Sequence, residues 1–463
     1  MKRPFTFNTL VMIYAVVVLV AAATWVVPGG EYARVVKDGR TLVVPGSYTP
    51  APSEPQGIGA IFTSPIKGFI QAAHIVVFVF IIGGAFAVVQ KTGAVAVSVQ
   101  RVAHTFVRKP HLQKFFIPVT MTLFSLGGTI FGMSEETMPF VLIFIPLAIS
   151  LGYDSLVGTA IPFLGAAAGF AGATLNPFTV GIAQGIAELP LYSGLEYRVV
   201  IWVISTASMI TFVMLYAARV RKNPSISLVA ELDGQRKQTF KLDEAGESRL
   251  TARHQLVLLY FLLTIIALVV GILEYQWFIT EIAGLFLALG IVSGILGGLR
   301  AGEITDSFKA GAADMMGVAF IIGFARALLV VATDGKVIDT LLFGLASLIT
   351  HLHPVFAAQV MFVAQGVINF FVHSGSGQAA LTMPVMAPLA DVVGVSRQTA
   401  VLAFQFGEGW INPILPTSGV TMGVLGLAGI SWDKWFKWML PAQIYFFILA
   451  LLLLIPPFFF NYQ

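Results

Sequence analysis

The sequence has no cysteine and very little charge, and each shortage closes off a class of protein. Without cysteine there is no disulfide framework, no thiolate metal site and no cysteine nucleophile. Charged residues make up 11% of 463 against 57% hydrophobic ones, and the mean hydropathy is +0.87, so polar surface is too scarce to coat a water-soluble globule. A net charge of +4 and a pI near 9.2 do not point to nucleic acid, because an excess of Lys and Arg is what the cytoplasmic loops of a membrane protein supply. Metal-ligand spacings, nucleophile elbows and phosphate loops are missing as well, so neither an enzyme nor a resident cofactor or metal is expected. What remains is an all-α polytopic membrane protein whose first partner is the lipid bilayer.

Apolar runs near twenty residues and the Lys/Arg bias of the loops predict its course. Lys2 and Arg3 precede a first span over Leu10 to Val27, which puts the N-terminus in the cytoplasm. Pro28-Gly29-Gly30 lacks the small-residue pattern of a signal-peptide cleavage site, so this run is read as a helix. An external loop, an interfacial segment over Ile58 to Ala72, and a second span over Ala73 to Val89 come next. Gly93 to Lys109, with Gln100, Arg101, His104, Arg108 and Lys109 on one side, suits a helix lying on the inner surface. Residues 1–218 are read as a first repeat, with a hairpin over about 115–151 and a broken helix over about 155–186. Residues 219–253 form a basic cytoplasmic linker, and 254–274 a helix that inverts the second half of the chain relative to the first. Residues 275–463 are the second repeat, with a hairpin over about 354–393, a broken helix over about 399–427 and an external C-terminus.

The repeat logic rests on two matched stretches. Each opens with a polar knot in apolar sequence, Ser134-Glu135-Glu136-Thr137 and Ser374-Gly375-Ser376-Gly377-Gln378. Each passes through Pro-Leu-Ala, at 146–148 and 388–390, with a glycine at the same distance, Gly152 and Gly394. Each ends in a glycine-rich break closed by Asn-Pro, at Asn176-Pro177 and Asn412-Pro413. Two re-entrant hairpins and two broken helices, related by inversion, are the expected architecture.

A broken helix exposes carbonyls that suit a cation and amide groups that suit an anion. Gly172, Asn176 and Asn412 are therefore candidates for cation coupling, with Glu136 and Glu408 able to take a proton or a metal cation. Ser134, Glu135, Glu136, Thr137, Asn176, Ser376, Gly377, Gln378, Glu408, Asn412 and Thr417 are the candidate substrate contacts. A helix-capping role for the tip hydroxyls, and a structural pair between Glu408 and Arg326, are the competing readings.

At these residues, and at Thr24-Trp25-Val26-Val27-Pro28-Gly29-Gly30, the chain resembles the DcuC/YfcC-like family of the ion-transporter superfamily, which includes anaerobic four-carbon dicarboxylate carriers and proteins named as basic amino acid antiporters. The resemblance covers nearly the whole chain. It implies a scaffold that dimerises, a transport domain that moves like an elevator, and a bacterial-type inner membrane. Superfamily members with Ser-Asn-Thr at both tips bind sodium and carboxylates there; here Ser134-Glu135-Glu136-Thr137 and Ser376-Gly377-Gln378 stand instead. Glu135, Glu136 and Glu408 face only Arg326 and His373 as counter-charges, a balance that favours a cationic amino acid. The expected function is secondary active transport of a small-molecule substrate, an amino acid of the arginine or ornithine kind, by exchange or with a sodium ion or a proton. The alternatives are a four-carbon dicarboxylate carrier of the same fold and a channel.

Overall fold

A computed structural model describes residues 9–37, 40–44, 46–95, 97–98, 101, 110–239, 250–275, 277, 279–460 and 462. Lys2, Arg3, most of the basic stretch between Gly93 and Lys109, and residues 240–249 of the linker lie outside the described residues.

The chain is mostly helical. Among the described residues, the one departure from an all-α chain lies between α1 (Thr9–Ala23) and α2 (Ile58–Gln71). There β1 (Gly30–Glu31) pairs antiparallel with β4 (Thr49–Pro50), and β2 (Arg34–Lys37) with β3 (Arg40–Val43). Short polar and β-branched runs between prolines favour extended chain over helix. This flap is pinned to the start of a distant helix. The Tyr32 amide donates to Asp339 Oδ2 at 2.9 Å and Arg34 pairs with Oδ1 at 2.8 Å. Lys336 bridges Glu31 and Glu54 at 3.0 and 2.8 Å, and the hydrogen bonds to Glu54 and Glu31 hold its pKa above the usual lysine value.

The remaining helices run in chain order. They are α3 (Ala73–Lys91), α4 (Pro110–Phe131), α5 (Met138–Ser150), α6 (Ser155–Gly172), the short α7 (Ile182–Ile186), α8 (Leu195–Lys222) and α9 (Ala230–Thr239). Then come α10 (Ala252–Tyr275), α11 (Ile279–Leu296), α12 (Ala301–Asp314), α13 (Met316–Asp334), α14 (Val337–Ile349), α15 (Pro354–Asn369), α16 (Gly375–Val393), α17 (Arg397–Gly409), α18 (Gly419–Leu427) and α19 (Trp432–Leu453). Among the described residues, Ala73–Lys91, Ser155–Gly172, Leu195–Lys222, Ile279–Leu296 and Trp432–Phe458 are long and apolar enough to cross a membrane, as are α12 and α13 if counted as one span bent by 44°.

Packing divides the helices into two groups. In one, α1 and α2 lie along α13 while α3 lies between α11 and α12. In the other, α4, α5 and α8 surround α6, and α15 and α16 pack on α17. Helix α6 meets α17 within the second group, and α18, which packs on α5 and α6, also meets α13, so the groups share a boundary. Helix α2, the segment that the sequence leads one to expect at the membrane interface, is packed along α13, where a Cβ at Gly68 would strike the Gly323 carbonyl. Helix α12 is hidden from a hydropathy reading by Arg300, Glu303, Asp306 and Lys309, yet it lays Phe308 and Gly311 on Gly84 and Gly83 of α3.

Local chemistry sets the ends that matter for the site. Asp154, Ser374, Ser396 and Ser418 each accept a hydrogen bond from a backbone N–H in the first turn of the helix they precede. The matched glycines Gly152 and Gly394 sit at φ +84° and +74°, ending α5 and α16 in the left-handed conformation that side chains resist. In the linker, α9 caps the start of α6. Asp233 accepts from the Ser155 amide at 2.9 Å and from its hydroxyl, and Arg236 reaches Ser155 and the Ala428 carbonyl.

Candidate functional site

Four interruptions of helix converge. The first comes after α4, where Gly132 turns at φ +73° and a single 3-10 turn over Glu135–Thr137 leads into α5. The second comes after α6, where Asn176 caps a π turn over Pro177–Gly181 by accepting from the amides of Phe178 and Thr179 at 2.9 and 3.3 Å. These two meet, since a Cβ on Gly132 would collide with the Asn176 side chain. Thr129 secures the junction by binding the amides of Thr174 and Leu175 at 3.0 Å each.

The third and fourth interruptions are built on the same plan with different atoms. Between α15 and α16, Ser374 caps the helix that begins at Gly375, and a Cβ on that glycine would strike Thr179 and approach Glu408. Helix α17 ends with Glu408 and Gly409, and the chain then enters a 3-10 turn over Asn412–Ile414. Asn369, at the end of α15, donates to the carbonyls of Gly407 and Glu408 at 3.3 Å each, two of those that a terminating helix leaves without partners.

A cavity of about 290 Å³ lies where the four meet. Sites for drug-sized ligands run from about 300 to 1,000 Å³, so this one suits a single small metabolite. Of the residues expected from sequence, Ser134, Glu135, Glu136, Ser376, Glu408, Asn412 and Thr417 line it together. Glu136 is buried and turned back on its own tip, its Oε2 accepting from the Ser134 amide at 2.8 Å; Glu135 is half-buried. Glu408 is buried, with Oε1 accepting from Asn412 Nδ2 at 2.8 Å and Oε2 without a hydrogen-bond partner. The pair expected as an alternative, Glu408 with Arg326, is not formed among the described residues.

Other expected residues support the walls and do not line this cavity. Gln378 is buried against α15, donating to the Gln365 carbonyl and Oε1 at 2.9 Å each. The Thr137 hydroxyl donates to the Ser134 carbonyl at 2.6 Å, Asn176 is occupied as a cap, and the Gly377 amide is held by Ser374 Oγ at 3.2 Å. Gly172 lets α6 approach Trp202 of α8. Thr137 instead borders a second, smaller void of about 30 Å³ that Ser134 and Asn412 share with the large one.

A further wall joins Arg326, expected from sequence as a counter-charge, to two residues that were not expected. Gln71 and His74 flank the α2–α3 junction, and Arg326 comes from α13. Phe178 and Thr179 add to the cavity from the first break. Arg326 is visible in sequence as a cation inside an apolar run, but Gln71 and His74 lie outside the matched stretches and nothing in the repeat singles them out.

Long apolar helices around a cavity that holds three glutamates and an arginine, with helix breaks at its walls, are the build of a multi-pass membrane transporter. The chain belongs to the DcuC family, whose model, described as a C4-dicarboxylate anaerobic carrier, matches residues 7–458. It is 39% identical over 460 residues to "Putative basic amino acid antiporter YfcC" of Escherichia coli strain K12, covering 91% of this chain and 90% of that protein. It is 29% identical over 465 residues to an uncharacterised protein of Haemophilus influenzae, covering 90% of each. Among solved structures, the YdaH transporter of Alcanivorax borkumensis aligns over 98% of this chain and 99% of its own at 17% identity and a TM-score of 0.42. Neisseria gonorrhoeae MtrF aligns over 97% and 95% at 16% identity and 0.41. Superpositions this loose carry no weight for the fold.

Proposed function

We propose that this transporter is a secondary carrier of small amino acids, basic ones of the arginine or ornithine type, working by alternating access. The observation that carries the reading is the charge of the cavity. Glu135, Glu136 and Glu408 line it with one arginine, Arg326, and two histidines. A cationic side chain gains from that excess of carboxylates, whereas a dianion is repelled by it. The name of the Escherichia coli relative agrees with this assignment. The description of the family model favours the second reading, a four-carbon dicarboxylate carrier with the same build.

In this reading α4 with α5, and α15 with α16, are re-entrant hairpins of two inverted repeats, spanning 1–218 and 275–463, with the linker at 219–253 and an inverting helix at 254–274. The hairpin tips and helix breaks form a transport domain that moves like an elevator against a dimerising scaffold. The protein sits in the inner membrane with its N-terminus inside and its C-terminus outside. Exchange of one amino acid for another, or coupling to a proton or a sodium ion at the Glu408–Asn412 break, drives transport. Polarity gathered where the four helix breaks meet, rather than spread along a pore, supports a carrier over a channel.

The test is counterflow in liposomes. Vesicles containing the purified protein and loaded with arginine are expected to take up labelled arginine or ornithine in exchange. Uptake of fumarate or succinate without any basic amino acid would transfer the assignment to the second reading, and unitary conductance steps would remove the carrier.

A further inference from the structure

We propose that Arg326, oriented by Gln71, is the subsite that takes the carboxylate of the cargo, opposite the glutamates. The cavity is thereby specific for molecules carrying a carboxylate at one end and a positive charge at the other. The inference rests on the amino acid reading and adds which end of the cargo each wall holds.

The geometry begins one turn away. Helices α2 and α13 cross at Gly68 and Gly323, so closely that a Cβ on Gly68 would run into the Gly323 carbonyl. That contact fixes the wall from which Arg326, three residues further along α13, lines the cavity. Its Nε–H donates to Gln71 Oε1 at 3.2 Å, an exposed hydrogen bond that engages the guanidinium at Nε. The two terminal nitrogens make no hydrogen bond or ion pair among the described residues. A fixed guanidinium with both terminal nitrogens free matches the two oxygens of a carboxylate.

The charges of the cavity are also kept apart. Three glutamates share it with Arg326, yet no carboxylate oxygen of theirs lies within ion-pair distance of that side chain. An arginine in an apolar helix ordinarily closes onto such a partner, because an unpaired charge in apolar surroundings is costly. Here Glu408 accepts instead from Asn412 and Glu136 from the Ser134 amide. A ligand bearing both charges satisfies both walls at once. A diamine leaves Arg326 unmatched, and a dicarboxylate sets its second carboxylate against the glutamates.

The test uses the full-length protein in liposomes, with inhibition of labelled arginine exchange by arginine and by agmatine, which is arginine without its carboxylate. Wild type is expected to favour arginine by about tenfold or more, the range for a charge-assisted pair. In Arg326→Gln that preference falls to within about twofold. Arg326→Lys, a charge without the fork, keeps part of it. Gln71→Ala reduces it while leaving the arginine in place. Melting temperature and detergent-solubilised size show that each variant is folded. An Arg326→Gln protein that still prefers arginine to agmatine as wild type does overturns the subsite. If wild type carries succinate and no basic amino acid, the cargo reading fails by itself. In that event, loss of succinate uptake in Arg326→Gln sustains the carboxylate subsite and unchanged uptake removes it.

Discussion

Asn412 Nδ2 donates to Glu408 Oε1 at 2.8 Å, four residues away across the second helix break, while Glu408 Oε2 is buried without a partner. One oxygen is thus fixed by the protein, and the other is free for a proton, a cation or the positive end of a cargo. A carboxylate in such a position is costly unless something completes it, which is why such groups in membrane proteins sit at working sites.

Glu408→Gln separates the two halves of that arrangement. The amide oxygen can still accept from Asn412, but the charge is gone. Counterflow of labelled arginine is expected to fall by about tenfold or more, as for loss of a charge-assisted contact, with little change in melting temperature. Wild-type exchange in this variant would reduce Glu408 to a structural group.

Asn369→Ala tests the support beneath it. The Asn369 amide serves the carbonyls of Gly407 and Glu408 and lies 3.4 Å from Asn412 Oδ1. Removing it leaves buried acceptors unsatisfied at a cost of about 1–3 kcal/mol. Thermal unfolding should shift down by several degrees and exchange should weaken with it. An unchanged melting temperature would mean that these carbonyls find other partners.

Gly323→Val tests the crossing that positions Arg326. The Cβ of any side chain there meets the ring of Phe69, so α2 and α13 must separate or distort. Overpacking of this kind costs about 1–3 kcal/mol. Both melting temperature and arginine affinity are expected to drop, and a substitution felt by neither would show that the wall tolerates displacement.

Much of the local structure was legible because chain geometry writes it into residue type. The Pro-Leu-Ala steps with Gly152 and Gly394 after them read as matched points of the two stretches, and both glycines occupy the left-handed conformation that ends α5 and α16. Asn176 before Pro177 reads as the start of a new turn, and its side chain caps one. The flap over residues 30–50 and helix α12 were harder to see, the first because its stability comes from Asp339 and Lys336 far along the chain, the second because its polar residues mask its packing on α3.

The sequence by itself determined that this is a multi-pass membrane protein of the DcuC family and where its apolar helices break, because those properties come from the solvent around the chain and from backbone chemistry within a few residues. Which polar side chains share a cavity was decided only by tertiary structure. Gln378 and Glu408 are alike in sequence as polar residues beside a break, yet one turns into α15 and the other lines the cavity. Gln71, His74 and Arg326 complete the cavity from helices outside the matched stretches, since helix packing, not spacing along the chain, brings them and the glutamates to one cavity.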